Sequence, residues 1–306
     1  MTRIVYLNTQ KCAHYCVTNQ YFCKKANHID MPTIGIDIGG TNLSFGLVEN
    51  GTVSNMFSVP SFSPEDSLEQ TLEYLSRQID RIFHSGVTKI GVGVPSVVDP
   101  KLGIVYDTLN IASWKEVHLK EYLEDRFRVP VAVNNDANCF AMGVYGTYPA
   151  DAKPETLVVA TLGTGVGIGI VDGGRLFCGV NCGAGELCCL PYKDSILEDY
   201  CSKKYFTGAG WDSKQAARAA KEGDSDALLL FDEFGRHLGA LVCTVLYAYD
   251  PSHIALAGGI ANNYPFFYQS MEDYIWSNFP YRKPLEKLKI DICTDNNIPV
   301  IGASLI

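Results

Sequence analysis

The stretch IDIGGTNLSFGLVENG, Ile36 to Gly51, sets Gly39-Gly40-Thr41 between two apolar, strand-like runs, with Asp37 just ahead of them. A tight hairpin needs only Asn-Gly or Asp-Gly at its tip. Two glycines and a hydroxyl fit a loop that bares backbone N–H groups to an anion, because glycine permits close approach and unusual dihedrals. Around the loop, Thr33–Asp37, Leu43–Val48 and Thr52–Val59 read as strands. The pattern then recurs: Thr156–Leu162 is a strand, Gly163-Thr164-Gly165 a loop, and Val166–Val171 a strand ending at Asp172-Gly173-Gly174. The separation is far beyond a solenoid repeat. One unit, duplicated, would open each of two domains, with two hairpin tips facing each other across a cleft wide enough for a polyphosphate. Either loop alone is also compatible with an ordinary hairpin.

The rest of the chain supplies the elements such domains need. Ser63-Pro64-Glu65-Asp66 carries helix-start chemistry, and Leu68, Leu72, Leu75, Ile79 and Ile82 follow at helical spacing to Gly86. Lys89–Val94 is a strand, and Leu119–Phe127 a helix. Val129–Val133 is a strand running into Asn134-Asn135-Asp136. A long helix over Ala227–Tyr249 stops before Pro251. His253–Ala257 is a strand opening into Gly258-Gly259, a helix spans Tyr264–Asn278, Lys287–Cys293 is a late strand, and a terminal helix begins at Ile301. The expected domains are 31–136, completed by a C-terminal helix at about 297–306, and 137–296. Residues 1–30, with three cysteines, no glycine and no proline, read as an extension that is disordered or a start called too early, with Met31 the natural beginning.

Composition narrows the function. Twenty-five basic against 34 acidic residues give a net charge of −9, which disfavours sequence-independent nucleic-acid binding. Eleven cysteines in 306 residues without a secretory signal suggest reduced thiols and a cytoplasmic protein. No apolar run reaches membrane-spanning length.

Neither glycine loop is a P-loop, and both lead into strands, whereas the dinucleotide fingerprint opens a helix. Phosphoryl transfer asks for positioning, a metal and a base rather than covalent chemistry. Asp37 is a candidate magnesium ligand, acting through water. Asp136, aimed by the strand before it, is the candidate base. Asn135 offers a donor and an acceptor for a sugar hydroxyl. The competing reading of Asn135-Asp136 is a turn or a helix cap.

DIGGT at Asp37–Thr41, NNDAN at Asn134–Asn138 and LGTGVGIGIVDGG at Leu162–Gly174 resemble the ROK family of sugar kinases and related repressors. GVGVPSVVDP at Gly91–Pro100, TLNIASW at Thr108–Trp114, GAGE at Gly183–Glu186 and IALAGGI at Ile254–Ile260 extend the resemblance from Thr33 to the C-terminus. It implies an α/β chain of actin-like (ribonuclease H-like) duplicated fold, with an ATP and sugar cleft between the lobes. The implied activity is ATP-dependent phosphorylation of a hexose at its 6-hydroxyl. Glucose is the default acceptor, with an N-acetylhexosamine or fructose as alternative. The resemblance makes Asp136 the general base and Asn135, Asp136, Glu186 and Glu198 sugar ligands, with Thr108 and Asn110 further sugar-side contacts. Gly39, Gly40 and Thr41 become one phosphate loop, Gly163, Thr164 and Gly165 the other, and Gly258 and Gly259 the turn beside adenosine. It also suggests a homodimer.

One segment departs from the family pattern. GELCCLPYKDSILEDYC, Gly185–Cys201, has Cys188-Cys189 where the family shows Gly-His, and its zinc loop is missing. Zinc is therefore not expected, and recognition near the sugar's anomeric end is altered. Ser96 stands where the family often has glycine. Two other classes compete with the kinase. A sugar-responsive repressor would need an N-terminal DNA-binding module that thirty aperiodic residues do not supply. An actin-like filament protein would not need Asp136.

Overall fold

The computed structural model describes residues 5–7, 31–180 and 182–306. These residues gather into two compact units. One holds 31–152, 176–180, 182–184 and 295–306; the other holds 5–7, 153–175 and 185–294. The first unit runs past the boundary expected after Asp136, because the helix Asp136–Thr147 packs on the C-terminal helix Ile298–Leu305.

The first unit is built on β1 (Thr33–Ile38), β2 (Asn42–Glu49), β3 (Thr52–Pro60), β4 (Lys89–Val94) and β8 (Val131–Asn135), in sheet order β3-β2-β1-β4-β8. The hairpin strands pair antiparallel, while β1, β4 and β8 run parallel. Short strands β5 (Val97–Asp99), β6 (Ile104–Tyr106) and β7 (Glu116–His118) form a separate three-stranded sheet that carried no clear alternation in sequence. Helices α1 (Leu68–Asp80), α2 (Leu119–Phe127) and α3 (Asp136–Thr147) complete the unit with the C-terminal helix.

The start of α1 corrects the sequence expectation. Ser67, not Ser63, is the N-cap, in a reciprocal capping box with Gln70. Ser63, Glu65 and Asp66 instead close a turn of their own, with the Ser63 N–H donating to Asp66 Oδ2 at 2.8 Å. Leu72, Leu75 and Ile79 then face a core that includes Ile34, Ile36, Phe45 and Trp114.

The opposite face of β1 and β4 is bare so that the C-terminal helix can lie on backbone. A Cβ on Gly35 would stand 2.0 Å from Val300 O, and one on Gly91 would stand 1.7 Å from Ala303 O. The helix crosses α3 in the same way, with Gly302 against Cys139 O at 1.7 Å and Gly143 against Ile298 O at 2.3 Å for the same construction. It begins at Ile298, three residues before Ile301 and next to the start at about 297 given for the domain, with Pro299 in its first turn.

The second unit repeats the plan. β9 (Thr156–Leu162) and β10 (Val166–Asp172) form the hairpin, and β11 (His253–Ala257) and β12 (Lys289–Cys293) follow in parallel. Hairpin, then two parallel strands, is the order found in β2-β1-β4-β8. The duplication read from the two glycine loops is thus a property of the topology. Val5–Leu7 adds a parallel edge strand on β12. This strand departs from the disordered extension read over 1–30; the rest of that reading, disorder or a start placed too early, falls on residues outside those described.

Helices α4 (Leu197–Cys201), α5 (Lys203–Gly208), α6 (Ser213–Glu222), α7 (Ser225–Tyr249) and α8 (Tyr268–Asn278) pack on one another, with α7 meeting α4, α6 and α8. Asp224 caps α7, and Asp250 ends it in the left-handed region just before Pro251. Helix α8 begins at Tyr268 instead of the expected Tyr264, and Pro265 precedes it. This proline lies in a 3₁₀-helix, Ala261–Phe266.

Candidate active site

Strand register brings two carboxylates together in the first unit. Asp37 of β1 stands opposite Gly93 of β4, and Gly93 stands opposite Asn134 of β8. The chain leaves β8 at Asn135 and enters α3 at Asp136. A Cβ on Gly93 would lie 3.2 Å from Cys139 Sγ and 3.6 Å from Asp136 Cα. The bare glycine thus lets the first turn of α3 settle over β4, next to Asp37. Burial, and then the negative charge of Asp136, push the Asp37 carboxyl up to about 7.

That arrangement is unfavourable for two bare carboxylates and well suited to a hard divalent cation. Their donors are all oxygen, which matches magnesium. Among the described residues, no three His, Cys, Asp or Glu side chains converge as a closed metal cage. Magnesium characteristically keeps several waters and takes only one or two carboxylates.

Asp136 occupies the first helical position of α3, where the helix dipole favours a carboxylate. Its Oδ1 accepts the Ala137 N–H at 2.8 Å. Asn135 is the N-cap: its Oδ1 accepts the N–H groups of Ala137 at 2.9 Å and Asn138 at 3.3 Å. Its Nδ2 donates to Ser96 O at 3.3 Å. The cap reading of this dipeptide therefore holds for Asn135, and the cap is what aims Asp136. Beneath it, buried Asn134 accepts from Asn138 Nδ2 at 3.0 Å and from Cys182 Sγ at 3.4 Å. Asn138 lies in the same NNDAN motif, whereas the Cys182 contact left no sign in the sequence, because a partner so distant along the chain has no local spacing.

The first glycine loop is pinned from two sides. Gly39 N–H donates to Asn42 O, Ser61 Oγ donates to Gly39 O, and Ser61 N–H donates to Thr41 O, each at 2.9 Å. Ser61 was not singled out by the sequence. Asn110 packs on this loop, since a Cβ on Gly40 would lie 3.3 Å from Asn110 Nδ2. Thr108, two residues earlier, is 2% exposed and its Oγ1 has no hydrogen-bond partner.

In the second unit the tip Gly163-Thr164-Gly165 closes with the Gly163 N–H on Gly165 O at 3.0 Å. Glu198, in the first turn of α4, accepts the Val166 N–H at 3.2 Å. Glu198 thus touches the loop itself. Gly258 has φ 86°, and a Cβ there would meet Leu162 O at 2.6 Å, whereas Gly259 has open space above it. Glu186 opens a 3₁₀-helix over Glu186–Cys189, and Cys189 Sγ donates to its Oε2 at 3.7 Å. Cys188 is buried and Cys189 exposed, so these neighbours face different surroundings. Burial raises both thiols above their ordinary value.

Parallel strands preceded by a glycine-tipped hairpin, twice over, define the actin-like ATPase fold, which the solved neighbours share. A model of the ROK family matches residues 33–306, and the chain belongs to that family. It is 27% identical over 272 residues to a glucokinase of Halalkalibacterium halodurans, covering 74% of this chain and 80% of that protein. An N-acetyl-D-glucosamine kinase of Vibrio cholerae is 30% identical over 290 residues, covering 85% and 91%. A xylose repressor of Bacillus spizizenii is 26% identical over 309 residues, covering 93% and 78%. A ROK family glucokinase from Streptomyces griseus, solved with glucose and AMPPNP, superposes with a TM-score of 0.71 at 24% identity, covering 89% of this chain and 98% of that one. No helix among the described residues is long and apolar enough to cross a membrane.

Proposed function

We propose that this chain is an ATP-dependent sugar kinase that transfers the γ-phosphate to the 6-hydroxyl of a hexose, with glucose as the default acceptor. The observation that carries the reading is the pairing of Asp136, at a helix N-terminus, with Asp37 under a glycine loop. Asp136 takes the proton of the attacking hydroxyl as its oxygen bonds to phosphorus and the bond to the ADP oxygen breaks. Asn135 holds Asp136 in place and, with Glu186, Glu198, Thr108 and Asn110, orients the sugar. Gly39, Gly40 and Thr41, and likewise Gly163, Thr164, Gly165, Gly258 and Gly259, are the proposed nucleotide contacts. Asp37 would hold magnesium through water, and the ion would supply neutralising charge at the phosphates.

The relative named as an N-acetyl-D-glucosamine kinase favours an N-acetylhexosamine as the second candidate acceptor. The xylose repressor makes a sugar-responsive regulator the reading to exclude. The test is ADP release and sugar-phosphate formation across glucose, fructose, mannose, N-acetylglucosamine and N-acetylmannosamine, with Asp136→Ala in parallel. We expect one preferred sugar, a rate lower by about 10²–10⁴ in the variant, and loss of activity in EDTA that Mg²⁺ restores. Sugar binding without any phosphorylated product would overturn the kinase reading in favour of the regulator.

A further inference from the structure

The second glycine loop is tied at both ends by one short segment. Gly163 O accepts the Lys203 N–H at 2.9 Å, and the Val166 N–H donates to Glu198 Oε2 at 3.2 Å. A Cβ on Gly165 would stand 2.5 Å from the same carboxylate oxygen. Gly165 is therefore bare because Glu198 lies against the loop backbone.

This placement poses an electrostatic problem. A loop that is to receive phosphate has a carboxylate directly against it, and like charges at such range repel in a partly enclosed setting. The same segment supplies a counter-charge. Lys204 Nζ lies 2.6 Å from Glu198 Oε1 and 3.1 Å from Asp199 Oδ1. Its position is set by the chain. Ser202, buried between α4 and α5, is the N-cap of α5 and accepts the Lys204 N–H at 3.2 Å. One turn thus delivers the Lys203 N–H to Gly163 and the Lys204 ammonium to Glu198.

We propose that Lys204 is a positioning residue of the second glycine loop: it neutralises and holds Glu198, so that the loop accepts nucleotide phosphate instead of repelling it. The proposal rests on the kinase reading above. It gives the carboxylate at position 198 a role distinct from any contact with sugar, and it makes the lysine a condition of nucleotide binding.

The test is calorimetric titration of Mg²⁺–AMPPNP, without sugar, into the wild type, Lys204→Met, Lys204→Arg and the double variant Glu198→Gln/Lys204→Met. Thermal melting of each verifies that it is folded. Lys204→Met is expected to raise Kd about tenfold, and Lys204→Arg, which keeps the charge, to stay within about threefold of wild type. The double variant discriminates charge from scaffold. With the carboxylate gone, affinity should return to within about threefold of wild type. Unchanged affinity in Lys204→Met would overturn the proposal and leave the kinase reading standing. So would a double variant no better than the single one. A wild-type protein that does not bind Mg²⁺–AMPPNP would overturn both.

Discussion

His237 shows how one residue can stand where sequence suggests nothing. It is buried on α7 among Tyr192, Tyr200 and Tyr205, with ring centroids 5.7, 4.9 and 5.3 Å away. Tyr192 Oη meets its Nδ1 at 3.1 Å. Lys193 Nζ and Glu233 Oε1 face its Nε2 at 3.5 and 3.6 Å. The imidazole thereby anchors the hairpin 191–196. Burial, reinforced by the Lys193 charge, pushes His237 down to about 4 from its ordinary 6.5. Between these two values the unfolded chain binds the proton and the folded one does not, so stability falls as pH drops from about 6.5 towards 4. The loss by pH 5 is on the order of 2 kcal/mol. His237→Gln cannot titrate, so the fall in its unfolding free energy from pH 7.5 to pH 5 should be smaller than that of the wild type by about this amount. Urea unfolding at the two pH values measures it. His253, also pushed down to about 4, keeps part of the acid sensitivity in both proteins.

At the scale of elements, glycine has two separable uses in this chain. Gly35, Gly91, Gly143 and Gly302 are bare because backbone meets backbone where the C-terminal helix crosses β1, β4 and α3. Gly163 and Gly259 have no such neighbour, with nothing closer than 4.0 Å to a built Cβ at Gly163 and nothing within 4 Å at Gly259. The first group serves packing, so Gly302→Ala should cost about 3 kcal/mol or more, because Cys139 O cannot move without bending α3. Gly259→Ala should change stability by less than about 0.5 kcal/mol and, on the proposed nucleotide-binding role of this glycine, weaken AMPPNP binding by placing a methyl in the open space above it. Denaturant midpoints and calorimetry on both variants separate the two uses. A Gly259→Ala protein with unaltered AMPPNP affinity would remove that glycine from the nucleotide site.

For the whole molecule, what the sequence made legible followed from local period and punctuation. The two hairpins, α2, β11 and the long helix α7 fell where alternation, helical spacing, Pro251 and Gly51 placed them. The three-stranded sheet β5-β6-β7 escaped because strands of three residues carry too little alternation to detect. The start of α1 was misplaced because Ser63-Pro64-Glu65-Asp66 has cap chemistry that a local turn consumes. Within the site, Asp136 could be picked out by its place after a strand. Its approach to Asp37 depended on Gly93 and on register between distant strands, which no local pattern records. The first unit carries this dependence furthest, since it is closed by residues from the far end of the chain. Burying Ile298 and Val300 alone contributes about 3–5 kcal/mol, a large share of the stability of a typical domain, roughly 5–15 kcal/mol. Lys89 Nζ also donates to the Ile306 carbonyl oxygen. A chain ending at Thr294 would leave the faces of Gly35 and Gly91 uncovered, with Asp37 and Asp136 on the same sheet and helix. It should lose protease resistance across 33–150 and lose AMPPNP binding with it. Supplying 295–306 as a separate co-expressed segment should restore both, because the helix contributes packing and not chain connectivity. Limited proteolysis read by mass spectrometry, with and without the segment, decides the point, and a truncated protein as resistant across 33–150 as the full chain would show that the first unit closes without its last helix.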